Sequence, residues 1–205
     1  MTAVIALESL LRDRQVWKGQ GPARPIGAQP SGHARLDAVL PTGGWPNASL
    51  SEILVPGAGM GELGLLWPTL ERLSRAGERI VLVAPPYNVY PQAWLAAGID
   101  LRQVVIIEAE GKNALWATEQ CLRSGTCGAV LCWPGLSDER TIRRLCVAAE
   151  TGQTLAFAYR PLSVSRNPSP AALRIAFEEG PGRVRVLKCR GGLAPAAPVL
   201  IAAEL

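Results

Sequence analysis

The chain has 205 residues, a length that suits one domain of ordinary size. Hydrophobic residues make up 48% and charged residues 19%, which excludes a broadly disordered polymer and provides for a sizeable core. The net charge of +4 permits an acidic partner such as nucleic acid but does not require one.

The first predicted element is a short amphipathic helix from Val4 to Trp17. Leu7, Leu10 and Leu11 recur near helical spacing, with Glu8, Arg12, Asp13 and Arg14 between them. The glycine- and proline-rich stretch KGQGPARPIGAQPSG follows, so residues 1–30 read as a helix on a flexible tether and residues 31–205 as the domain. From Ser49 onward, strand-like runs at 51–55, 79–84, 103–108, 128–133 and 154–159 alternate with helix-like segments near 62–76, 91–97, 114–124 and 138–150. Alternation of this kind, with nearly continuous apolar strands, predicts an α/β fold: a largely parallel central sheet with helices on both faces.

Several helix ends are legible. Asn113 is placed to cap one helix that Gly125 ends, and Ser137 to cap another that Gly152 ends. Ile142, Leu145, Cys146 and Ala149 form the expected buried stripe of the second, leaving Arg140, Arg143 and Arg144 outside it as a solvated basic face or a partner or phosphate contact. Near the end, LRIAFEE, GPG and RVRVLK read as an antiparallel hairpin, with Glu178 and Glu179 near Arg183 and Arg185 across it. Lys188 and Arg190 have no evident local partner.

Five cysteines at 121, 127, 132, 146 and 189 form no C-x-x-C pair, and the one histidine, His33, is far from them, so a metal site is not expected. An odd, scattered cysteine count fits a reducing cytoplasm. No uncharged run approaches the ~18 apolar residues of a membrane span, and the apolar stretch at the start is too short for a signal peptide. The expectation is a cytoplasmic protein without a membrane segment.

Residues 55–64 read VPGAGMGELG, between a strand and a helix, where a phosphate-binding loop belongs. The pattern G-x-x-x-x-G-K-[ST], ended on Gly61, puts Pro56 at the first glycine, Glu62 at the lysine and Leu63 at the hydroxyl, with Gly57 and Gly59 between. At ~4 Å and an effective dielectric of about 20, exchanging the cation for an anion turns about 4 kcal/mol of attraction per charge pair into repulsion. Leu63 offers magnesium no ligand.

The segment SGHARLDAVLPTGGWPNASLSEILVPGAGMGE resembles the start of the core of the RecA recombinase family: an LD segment, a GG-x-P turn, then strand and loop. YPQAWLAAGIDL, GAVLCW, AALRIAF and RVRVLKCRGGLAPAAPV continue the likeness in order, over about residues 31–200. It implies a RecA-like core with degenerate nucleotide motifs and a C-terminal antiparallel hairpin. The family's water-activating glutamate would fall at Pro86, its second-motif acid at Cys132 or Trp133, and its glutamine-type sensor at Tyr159–Arg160. None of these can serve, so no nucleotide cofactor and no ATP hydrolysis is expected.

Two groups with such a core are the ImuA family of bacterial damage-induced translesion synthesis and the SulA division inhibitors. Both are similar to this chain around ALWATEQCLRSGTCGAVLCW and TLAFAYRPLSVS. SulA-type chains generally lack the full GHARLDAVLPTGGWP segment, so the resemblance to ImuA is the stronger. It implies an adaptor that binds an ImuB-type polymerase homologue without catalytic residues, RecA, and a second error-prone replicative-type polymerase subunit. Leu7, Leu10, Leu11 and Trp17 are the candidate docking residues. Arg160 and Arg166, in the segment matching the recombinase's mobile loop, are candidates for weak DNA contact. Most of the six tryptophans, Trp45 and Trp133 among them, are expected to pack against the core.

Overall fold

The computed structural model describes residues 29–57, 61–180 and 182–201. The predicted helix with Leu7, Leu10, Leu11 and Trp17 lies outside the described residues, as does Gly59. Eight strands form one sheet in the order β3-β2-β4-β5-β1-β6-β7-β8. They are β1 (Leu50–Val55), β2 (Arg79–Val83), β3 (Val104–Ile107), β4 (Cys127–Cys132), β5 (Leu155–Pro161), β6 (Leu173–Phe177), β7 (Arg183–Cys189) and β8 (Val199–Leu200). Neighbours from β3 to β6 are parallel, whereas β7 pairs antiparallel with β6 and with β8. All five strands read from apolar runs are present within a residue or two, and so is the hairpin.

Helices cover both faces, which is why β1 and β4 are buried at every position. One face packs on α1 (Ala34–Asp37), α2 (Trp67–Arg75) and α3 (Pro91–Ala96), through Leu36, Leu70, Leu73 and Trp94. The other packs on α4 (Gly111–Arg123) and α5 (Glu139–Thr151), through Leu122, Ile142, Leu145, Ala148 and Ala149. Each large side chain so buried contributes roughly 1.5–3 kcal/mol. At the open edge, β3 is only partly covered, and Ile106 is 45% exposed.

Two helix starts differ from the sequence expectation. Asp138, not Ser137, caps α5: its carboxylate accepts from Thr141 N at 2.8 Å, while the Ser137 hydroxyl turns back to Pro134 O. The helix begins one residue later than Ser137 would set it. Asn113 is not a cap either, because α4 already starts at Gly111 after extended backbone at Glu110. The basic face of α5 is also partly paired, Arg143 with Glu139 and Arg144 with Glu119 of α4. Across the hairpin Arg185 pairs with Glu178, as the charge pattern predicts.

The segment before β1 is built into the core. Trp45 is fully buried, packs edge-on against Phe157 at 5.1 Å and donates to Thr69 Oγ1 at 2.8 Å. Thr69 in turn donates to Ser31 O at 3.1 Å. Gly32 has φ +86, and a Cβ there would sit 2.2 Å from Pro68 Cβ, so the close approach of this segment to α2 requires glycine. Among the described residues, no helix is long and apolar enough to cross a membrane.

Candidate functional site

Parallel α/β sheets gather ligands at the C-terminal ends of their strands. The positions aligned with the recombinase chemistry converge there. β1 runs into Pro56 and Gly57, and Gly61, with a φ of +81, is in the left-handed region. Glu62–Leu65 form a tight 3-10 turn, and α2 starts only at Trp67, with Pro68 in its first turn. That geometry removes phosphate donors. Gly64 N and Leu66 N are used within the turn, at 2.9 and 2.8 Å to Gly61 O and Leu63 O, and Pro68 has no N–H.

Glu62 is 1% exposed, so it has turned inward rather than out to solvent. Leu63 packs against the core. Tyr159, at the end of β5, donates from its hydroxyl to Glu62 O at 3.3 Å. Its ring stacks on Trp133, with centroids 5.3 Å apart and planes 13° from parallel, and Tyr87 meets Trp133 edge-on at 5.8 Å. Burial first, then the Glu62 carboxylate beside it, holds the Tyr87 phenol well above its ordinary range. Burial does the same to Tyr159, helped by Tyr87 and Glu62. Trp133 Nε1 is buried without a hydrogen-bond acceptor. Three rings and one buried carboxylate thus stand together beyond the ends of β2, β4 and β5. These side chains do not fit a magnesium-bound triphosphate, which needs a cation and a hydroxyl where Glu62 and Leu63 stand.

The other aligned positions separate by face. Pro86 is exposed beside Tyr87. Cys132 lies on the opposite face of β4 from Trp133; burial pushes its thiol up to about 12, against a smaller opposing effect of Arg160, and keeps it neutral.

Arg160 corrects a sequence expectation. It is 4% exposed, and its guanidinium donates to Glu52 Oε1 at 2.7 Å, to Gly135 O at 3.1 Å and to Ser137 O. Successive β5 residues alternate in face, so Tyr159 enters the cleft and Arg160 the other layer. With its donors consumed inside, Arg160 has no surface to offer a DNA backbone. Glu52 also takes Arg174 Nε at 2.6 Å, and Arg174 reaches Val164 O, Ser165 O and Asn167 O. This buried Arg–Glu–Arg group ties β1 and β6 to the two connections that follow β4 and β5. Arg166 is exposed at the end of the 3-10 turn Leu162–Arg166. Sequence reasoning missed Tyr87 and Glu52. The signal for Glu52 was present: a lone acid inside the apolar strand LSEILV.

On the other side of the loop a groove of about 1440 Å³ opens between Pro56, Gly61, Trp67, Phe177 and Arg183. Among the described residues no group of three His, Cys, Asp or Glu side chains is placed to hold a metal ion.

No protein-family model matches the chain. It is 30% identical to the cell division inhibitor SulA of Photorhabdus laumondii over 112 residues, 54% of this chain and 63% of that one. It is 24% identical over 135 residues to the mitochondrial DNA repair protein recA homolog of Dictyostelium discoideum, covering 61% of this chain and 30% of the relative. Protein RecA of Acholeplasma laidlawii is 28% identical over 109 residues, 53% of this chain and 33% of its own. The crystal structure of SulA from Pseudomonas aeruginosa aligns with 55% of this chain and 97% of its own, at 26% identity and a TM-score of 0.48. The chain is thus distantly homologous to RecA and SulA proteins, and it spans from 30% to 63% of the length of these curated relatives.

Proposed function

We propose that this chain is a non-catalytic, RecA-like adaptor of the bacterial DNA-damage response, of the ImuA type. It works in the cytoplasm beside an ImuB-type inactive polymerase homologue, RecA and a second error-prone polymerase subunit. The observation that carries the non-catalytic part is Glu62 itself, buried near Tyr87 and Tyr159 where an ATPase keeps a lysine. A protomer that cannot take ATP cannot use it to join the next protomer, so the core serves as a surface rather than an engine. The distant likeness to RecA supports a role in the same response. The ImuA type is favoured by the segment 31–47, which SulA-type chains generally lack and which here is pinned to α2 and β5 through Trp45 and Thr69.

The test is binding by the purified chain. Retention of RecA and of an ImuB-type protein, reduced on deletion of residues 1–20, is the expected result; failure to retain either one overturns the adaptor reading. The identity with Photorhabdus SulA favours a second reading, a division inhibitor. It requires that the purified chain bind the tubulin-like division protein and block its GTPase, an effect the ImuA-type reading excludes.

A further inference from the structure

At the opposite end of the sheet from the cleft, the second half of α5 runs past the end of β7. A pocket of about 170 Å³ lies between them, walled by Ser49, Arg143, Cys146, Glu150, Pro170 and Arg190. Arg143 of α5 and Arg190 after β7 line it, and both, with Lys188 near the end of β7, act on the Cys146 thiol, which burial first and then the Glu52 carboxylate raise to about 11. Arg143 shares its charge with Glu139, and Lys188 donates to the backbone Ser169 O at 2.6 Å. Among the described residues the Arg190 side chain has no hydrogen-bond or ion-pair partner, and it is exposed. Beside the pocket Val147 stands 48% exposed.

We infer that this end of the molecule docks an acidic segment of a partner protein, one carboxylate side chain entering between Arg143 and Arg190 and an apolar neighbour resting on Val147. The pocket holds a single side chain. A guanidinium with free donors takes a carboxylate in a two-pronged hydrogen bond. Single-stranded nucleic acid needs a different surface, a groove that follows the backbone with rings to stack on. Among the described residues, none that lines this pocket is aromatic. The inference goes beyond the ImuA-type reading and does not depend on it.

Fluorescence anisotropy with a fluorescein-labelled peptide of repeated Glu-Glu-Leu tests it, against a Lys-Lys-Leu peptide and an oligothymidylate. Saturable binding of the acidic peptide alone is expected, weakening about tenfold between about 50 and about 300 mM salt. Arg190→Ala and Lys188→Ala should each weaken it about tenfold, while Arg190→Lys keeps part of the affinity. Both side chains are exposed, and unchanged melting curves of the variants establish that the fold is intact. No saturable binding, or binding indifferent to both variants, overturns the inference. So does tighter binding of oligothymidylate through the same two residues. Acidic-peptide binding by a chain that ignores RecA and ImuB sinks the adaptor reading and leaves this surface standing.

Discussion

Two glutamates are withdrawn from water on either side of the phosphate-type loop, and they are compensated differently. Glu52 is fully buried in β1 and takes a guanidinium on each oxygen, from Arg160 and Arg174, whose side chains are 5% and 7% exposed. Glu62 is nearly as buried, yet around it stand the rings and hydroxyls of Tyr87 and Tyr159. The first is an architectural charge: it fastens strands and loops that no apolar contact would align so specifically. The second stands where a phosphate loop would carry its lysine.

Breaking this comparison should give effects of very different size. Arg174→Ala leaves Glu52 half-compensated and strips the donors from three carbonyls; it should destabilise the chain by about 3–5 kcal/mol in urea unfolding. Tyr159→Phe removes only the bond to Glu62 O and should cost about 1 kcal/mol. Glu62→Gln should shift stability by less than about 1 kcal/mol, and the ultraviolet titration of Tyr87 should move to lower pH because the neighbouring anion is gone. A large loss on Glu62→Gln would show that the two glutamates are both structural.

pH sharpens the contrast further. The folded state raises the Tyr87 and Tyr159 phenols above their ordinary value of 10.0. It therefore binds protons that the unfolded chain has already lost. Their contribution is complete below about pH 10 and declines as pH climbs toward the folded values. Stability should fall steeply in strong alkali, and Tyr87→Phe should flatten that fall. The smallest effect belongs to the α5 cap. Hydrogen bonds from the Thr141 side chain and then from its backbone N–H hold the Asp138 carboxyl below its usual range, so its support is present above the ordinary carboxylate value and fades as acid protonates it. Asp138→Ala should lower the urea midpoint slightly without changing the slope.

Much of this architecture was legible in residue order. Continuous apolar runs such as RIVLV and GAVLC mark strands covered on both faces, and they became β2 and β4. At 62 and 63 residue type alone shows a glutamate and a leucine where a phosphate loop carries a lysine and a hydroxyl. Arg160 was misread because a polar residue at the end of an apolar strand looks like a surface group. Its partner, Glu52, is 108 positions away, and only the parallel pairing of β1 with β5 brings the two together. Ser137 and Asp138 are both good caps, and the choice between them is made by where the backbone turns, which residue order does not specify. Tyr87 carries no signal in residue order, because it follows Pro86 in an irregular connection after β2, where no periodicity marks which side chain turns inward.

The central claim is that the cleft at Glu62 has no use for a nucleotide. Equilibrium dialysis of the purified chain against radiolabelled ATP, with and without magnesium, tests it directly. The account predicts no magnesium-dependent retention and no released phosphate. Tight, magnesium-dependent binding with turnover that is lost on Tyr159→Ala or Trp133→Ala would contradict it.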